Sequence, residues 1–371
     1  MLSKQGVDGG VFPACLLHCR NGQRSTHMCR GHIFMNRVFS RRLYICWLFC
    51  VMLGAVPHDA PSQQFSERFT AVAAFSRSKV MPMPLLRLSL NGKATGTFAF
   101  DSGTNTTLLT EGLSTLLGLK FEPILDATGH PRFFEGKPKL RVNMERLQFG
   151  TEILSDVPFI LMDDNHFSGL IKEHVDGVLG ATVLEACAGL FDFSKDEITL
   201  WYPGGLTIEE RRKIGMEDSV ALPMMYNNQG SGFTIAATLL QSGKRQEKVK
   251  GEEMLLIDTG QAITHISLAM AHRLKLKNIR KNLFDVTFGG DRKVEEGTVD
   301  TMILGGIEFH NLRVRYPNPT YKNYTPGLGL DVLAKAKFLF DWSNKIFYFK
   351  QLSPDAHTAY SDATQIGQAK P

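Results

Sequence analysis

Short runs with a period of two mark most of the chain. LLRLSL (85–90) and GTFAF (96–100) set apolar residues at alternate or consecutive positions and are bounded by Asn, Gly and Pro. Such runs predict strands. Asn91-Gly92 between them predicts a tight hairpin turn, because both central residues of that turn need a left-handed backbone. Helical spacing is confined to short pieces, LLTEGLSTLLGL (108–119) and ISLAMAHRLKL (266–276). Gly- and Pro-containing bends such as ATGHP (127–131) and FGGDR (288–292) separate further strands. The pattern predicts a mostly β chain with small helices. Its 34 glycines, and the excess of Phe (25) over Tyr (8), agree with strands and turns.

The pattern also repeats. FAFDSGT (98–104) returns as LLIDTGQ (255–261), so that Asp101-Ser102-Gly103 matches Asp258-Thr259-Gly260 at an offset of 157. DGVLGATVLEACAGLFDFSKDEITL (176–200) returns as GLGLDVLAKAKFLFDWSNKIFYF (327–349), with Gly180 matching Gly329 and Phe191-Asp192 matching Phe340-Asp341 at an offset of 149. Two motifs in one order at nearly one offset predict a duplicated, bilobal architecture. Its lobes span 66–205 and 206–352, and the charged, Gly-rich segment 203–219 suits the connection. Residues 353–371 read as a flexible tail.

A lone Asp-Ser-Gly is most simply a capped turn. Two copies on duplicated units change that reading, because pseudo-twofold packing brings the strand ends Asp101 and Asp258 together. Two adjacent carboxyls cannot both ionise freely, so one keeps a proton. The neutral acid can then donate to a substrate carbonyl while the carboxylate takes a proton from water. Ser102 and Thr259 supply small hydroxyls able to bond across to the opposite unit. Gly103 and Gly260 allow a tight turn and a close approach of substrate or backbone.

With these motifs the chain resembles the pepsin/retropepsin superfamily of aspartic proteases over roughly residues 80–350. Within it the nearest kind is the bacterial one, with two retropepsin-like units in one secreted chain. The resemblance implies a pepsin/retropepsin-like acid protease fold with pseudo-twofold symmetry. It also implies aspartic endopeptidase activity with Asp101 and Asp258 as the catalytic pair, and a peptide or protein substrate. Thr104 follows the family's preference for a small residue after the glycine, and Gln261 departs from it. A glutamine there has two courses: its amide donates to Asp258 and holds it ionised, or its bulk crowds the pocket. The strands carrying VLG (178–180) and GLG (327–329) are implied to thread beneath the active-site loops, placing Gly180 and Gly329 there. Thr128, Gly129 and His130 in one unit, and Gly289 and Gly290 in the other, fall where the family places its flaps. No metal or organic cofactor is implied, and a monomer suffices because both acids lie in one chain. The rival from another class is a catalytically weak relative that binds extended peptides or partner proteins, for which Gln261 is the best support.

Charge and cysteine bear on the N-terminus alone. The net charge of +5 comes from residues 1–60; beyond them the two signs balance. No basic stripe points to nucleic acid. Five of the six cysteines precede residue 60, leaving Cys187 as an apolar filler in the body. From Met35, three arginines lead into the apolar run Leu43 to Val56, which predicts a signal peptide over 35–60 and a secreted or periplasmic protein. An N-terminal membrane anchor is the alternative. Residues 1–34 then read as a non-native extension upstream of a start at Met35. Their Cys15, Cys19, Cys29, His27 and His32 fit no closed zinc pattern. The bland readings elsewhere are core for Trp201 and Trp342, core or hairpin packing for Phe133 and Phe134, a solvated loop for Asp163-Asp164, a solvent-facing helix position for His272, and no catalytic part for His265.

Overall fold

The computed structural model describes residues 69–352, except 80–81, 135–136, 165–172, 185–186, 227–231, 244–247, 288–289 and 319–323. The upstream extension, the signal segment, the 353–371 tail and Gly289 therefore lie outside the described residues. No helix among the described residues is long and apolar enough to cross a membrane.

Each half starts from an antiparallel pair that ends on an acid. In the first, Pro84–Leu90 pairs with Ala94–Asp101, and Leu90 faces Ala94 across the turn. Asn91 and Gly92 take φ values of 51° and 65°, the left-handed pair that a two-residue hairpin requires. In the second, Phe233–Ser242 pairs with Lys248–Ile257, which leads into Asp258. A short apolar strand then lies parallel to each acid-bearing strand: Gly177–Gly180 beside Ala94–Asp101, and Gly327–Leu328 beside Lys248–Ile257. Side chains on these inserted strands are buried because both faces are covered. After each acid comes a short helix, Glu111–Leu117 or Leu268–Leu274. The first ends on left-handed Gly118, and the second starts with Ser267 Oγ accepting from Met270 N.

The halves are joined by one sheet. Ala188–Asp192 from the first half pairs antiparallel with Ala336–Asp341 from the second, with Leu190 opposite Leu339. These two residues are equivalents at the 149 offset, so the pseudo-twofold axis passes between them. Glu197–Tyr202, Phe69–Arg77 and Ile346–Gln351 extend this sheet outward. Phe69–Arg77 buries every second residue, so one of its faces is open, while Ala188–Asp192 is buried throughout. Phe191 stacks on Phe338 (centroids 4.9 Å apart) and meets Phe100 edge-on (5.0 Å). Packed aromatics therefore connect the shared sheet to the strand that carries Asp101. The described residues fall within one compact unit that contains both halves.

Cys187 lies between the 3-10 turn Ala181–Leu184 and the strand from Ala188. It is buried, and burial pushes its thiol up to about 12. Of the two readings for Phe133, the structure selects the hairpin: it stands opposite Pro138 and is 62% exposed.

Candidate active site

The acids stand at the join. Ser102 N donates to Thr259 Oγ1 (2.9 Å), and Thr259 N donates to Ser102 Oγ (3.0 Å). Ser102 Oγ in turn donates to Ile257 O (2.9 Å), and Thr259 Oγ1 to Phe100 O (2.8 Å). Each hydroxyl thus bridges into the opposite half, and all four bonds are buried. Charge-free, reciprocal bonds of this kind leave little freedom, because moving either loop strands buried donors on both.

The lock places the carboxyls reciprocally. Gly103 N donates to Asp101 Oδ1 (2.9 Å) and Gly260 N to Asp258 Oδ1 (2.8 Å). A Cβ on Gly103 would collide with the Asp258 carboxyl, and one on Gly260 with that of Asp101. Each acid therefore lies in the space that the other half's glycine leaves empty. Burial raises both acids above the usual carboxylate range. Asp258 is raised furthest, since the charge of Asp101 adds to its burial. One proton held by the pair is the consequence.

Gln261 does not serve Asp258. Its Nε2 donates to Gly327 O (2.8 Å), and its side chain packs where a Cβ on Gly327 would stand. Gln261 lies beside the inserted strand, which supplies this carbonyl. Gln261 O accepts from Leu330 N (2.7 Å), just as Thr104 O accepts from Ala181 N (2.6 Å). Gly180 lies against the carbonyls of Thr104 and Thr106, and Gly329 against Gln261 O and Ile263. No side chain fits at either glycine.

A second pair of threonines completes each loop. Gly180 N donates to Thr107 Oγ1 (3.3 Å), and Gly329 N to Thr264 Oγ1 (3.1 Å). Thr107 Oγ1 meets Thr182 Oγ1 (3.1 Å), whereas Thr264 Oγ1 donates to Asp331 Oδ1 (2.8 Å). These residues were missed in the sequence, although Thr107 and Thr264 keep the 157 offset, and Thr182 and Asp331 the 149 offset.

The flap candidates differ. In the second half, Lys277–Thr287 and Gly290–Leu304 form a long hairpin with Thr287 opposite Gly290, so Gly290 stands at its tip. Thr128, Gly129 and His130 form an exposed turn bonded to itself: Asp126 Oδ1 accepts from Thr128 N (2.8 Å), Thr128 Oγ1 (2.6 Å) and His130 N (3.0 Å). No bond joins that turn to the acids.

A buried ionic cluster on the long hairpin had no signal in the sequence. Asp285, on the hairpin, binds Arg315 Nη1 through Oδ1. Arg315 Nε donates to Glu296 Oε2 (3.3 Å), and Arg280 Nη1 to Glu296 Oε1 (3.1 Å). His265 Nε2 stands 3.0 Å from Asp285 Oδ2, and the His265 ring lies 5.1 Å from that of Tyr324. Burial works against the charge of Asp285, but His265 and Arg315 overcome it and hold the carboxyl below its usual range. Among the described residues no group of His, Cys, Asp and Glu is arranged to hold a metal ion.

Two β-rich halves about a pseudo-twofold axis, with paired aspartates at the join, define the bilobal acid-protease fold. The aspartyl protease family model matches residues 248–329, which include Asp258 and the long hairpin. The chain is thus similar to the pepsin/retropepsin-like aspartic proteases. Among solved structures it is similar to the aspartic proteinase from Irpex lacteus, at 11% identity and TM-score 0.45 over 79% of this chain and 100% of that one. It is also similar to a retropepsin-like aspartic protease from Rickettsia conorii, at 16% identity and TM-score 0.26 over 37% of this chain and 92% of that one. No curated protein matches the chain.

Proposed function

We propose that the chain is an aspartic endopeptidase, secreted or periplasmic, that acts as a single chain of two lobes. The observation that carries this is the reciprocal seating of Asp101 and Asp258 against each other's glycine. A water held between them loses a proton to the carboxylate as its oxygen bonds to the peptide carbonyl carbon. The protonated acid gives its proton to the carbonyl oxygen. The tetrahedral intermediate then collapses, the C–N bond breaks, and the leaving amine takes a proton from the pair. No covalent bond to the enzyme forms. Ser102 and Thr259 hold the loops, and the long hairpin covers the bound peptide and excludes water.

The test is cleavage of an unfolded protein or a peptide library by the full chain across pH 3–8. Asp101→Asn and Asp258→Asn are each expected to abolish it while leaving the circular dichroism spectrum unchanged. Full cleavage by both variants overturns the proposal. Peptide binding without turnover by the wild type favours the binding-module reading, which Gln261, bonded to Gly327, no longer supports.

A further inference from the structure

A cavity of about 190 Å³ opens on the second half, and three elements wall it. The loop after Asp258 gives Ile263. The strand Ile307–Pro317 gives Asn311, Leu312 and Arg313, with His310 beside them. The short helix Leu330–Leu333 gives Asp331, and Lys335 follows just beyond it. Backbone bonds tie these walls together: Asp331 N donates to Ala262 O (3.0 Å), and Arg315 N to Thr264 O (3.0 Å). The recess is thus in place before any ligand arrives, which lowers the cost of binding.

Positive charge prevails on its walls. Lys335 makes no ion pair among the described residues. Arg313 Nη1 stands 3.8 Å from Glu296 Oε1, and its side chain is 42% exposed. That carboxylate already accepts from Arg280 at 3.1 Å and from Arg315 at 3.3 Å, so three guanidiniums share it. His310 is engaged, with Nδ1 3.2 Å from Thr301 Oγ1 and Nε2 3.4 Å from Glu308 Oε2. Asp331 is the one acid on the lining. Its Oδ1 takes both Thr264 bonds, and its Oδ2 accepts none among the described residues.

We infer that this cavity binds a small oxyanion, a carboxylate or a phosphate, between Arg313 and Lys335. Arg313 supplies a fork of N–H donors and Lys335 a point charge, the two cationic partners that such anions take. Ile263 and Leu312 offer an apolar wall to the carbon body of an organic acid. The volume is below the roughly 300 Å³ at which drug-sized sites begin, so it suits a phosphate or a short-chain acid. Burial raises the Asp331 carboxyl to about 6, and an anion beside it favours the protonated form further. That form donates through Oδ2 to the anion. Asp331 also holds Thr264, whose Oγ1 accepts from Gly329 N (3.1 Å), so the bound anion lies one side chain from the second acid's loop. The site goes beyond peptide cleavage and does not depend on it.

The test is titration calorimetry of the full chain at pH 7.5 with sodium phosphate and sodium butyrate in turn, each against matched sodium chloride. Saturable binding of at least one is expected. Lys335→Ala and Arg313→Ala should each raise Kd by about tenfold, the loss of one charge-assisted bond. Lys195→Ala, at an exposed lysine of the first half, should leave Kd unchanged. Asp331→Asn should lower Kd, because an amide replaces the carboxylate beside the anion. Tighter butyrate assigns the site to an organic carboxylate, and tighter phosphate to the inorganic ion; both uphold it. If thermal melting shows that Arg313→Ala does not fold, Lys335→Ala decides, since its side chain makes no ion pair. Three results overturn the site: no saturable binding of either anion at tens of millimolar, a Kd that Lys335→Ala leaves unchanged, or a Kd no lower in Asp331→Asn than in wild type.

Discussion

Asp331→Asn is expected to stabilise the protein at neutral pH. Asp331 opens the short helix Leu330–Leu333 and is 7% exposed. Its Oδ1 accepts from Thr264 N and Thr264 Oγ1, each at 2.8 Å. Burial pushes the carboxyl from 3.8 up to about 6, against the Thr264 bonds and the charges of Lys335 and Arg313. An acid whose folded pKa is raised binds its proton more tightly folded than unfolded. It contributes fully below pH 3.8, and that contribution is lost as pH rises to about 6. At about 1.4 kcal/mol per pH unit, the loss is at most about 3 kcal/mol. Asparagine keeps the acceptor and carries no charge to desolvate, but it forgoes the attraction of Lys335 and Arg313, so the expected gain at pH 7.5 is about 1–3 kcal/mol. The first half supplies an internal control: Thr182, the neutral equivalent, serves Thr107 there. Denaturant unfolding of both proteins at pH 4 and pH 7.5 measures the effect, with the gain present at pH 7.5 and nearly absent at pH 4. A variant no more stable than wild type at pH 7.5, or equally stabilised at both pH values, refutes the reasoning.

Other outcomes follow from the site. Ser102→Ala and Thr259→Val each strand buried backbone donors in the opposite half and should cost about 1–3 kcal/mol. Their double mutant should be less destabilised than the sum, because the two act on one lock; strict additivity in urea melts would contradict it. Gln261→Thr should leave the pH–rate profile in place, since the glutamine serves Gly327 rather than Asp258; a limb displaced by a full pH unit would show otherwise. Both acids are raised, so the alkaline limb of kcat/KM should fall above the ordinary carboxylate range. A limb centred at or below pH 4 would mean that the pair does not hold its proton as described.

Local chemistry made much of this readable in the chain. A left-handed turn needs Asn91-Gly92, and the two acid motifs share their order and spacing. Thr107 and Thr264 are equally readable, because they stand six residues after each acid. The direction of the Gln261 side chain was not readable, since it depends on a carbonyl 66 residues away. The cluster of His265, Asp285, Glu296 and Arg315 was hidden for the same reason. Its members come from a loop and three strands, and no period links them.

Duplication accounts for the frame and not for the differences within it. Where the first half has Leu108, Thr104 and Thr182, the second has His265, Gln261 and Asp331 at the same offsets. Leu108 sits in a strand between apolar neighbours, whereas His265 bonds through its backbone to Gly327 and faces the Asp285 carboxylate. All three changes add polarity to one half and leave the shared lock of Ser102 and Thr259 intact. That distribution has a physical use in a peptide-cleaving site. A peptide has a direction, and a cleft with true twofold symmetry would accept either direction with equal energy. Only unequal halves can prefer one, by presenting partners that one orientation satisfies and the other leaves unpaired. On the proposed function, the symmetric residues set the position of the acids, and the unsymmetric ones give the cleft two unequal ends.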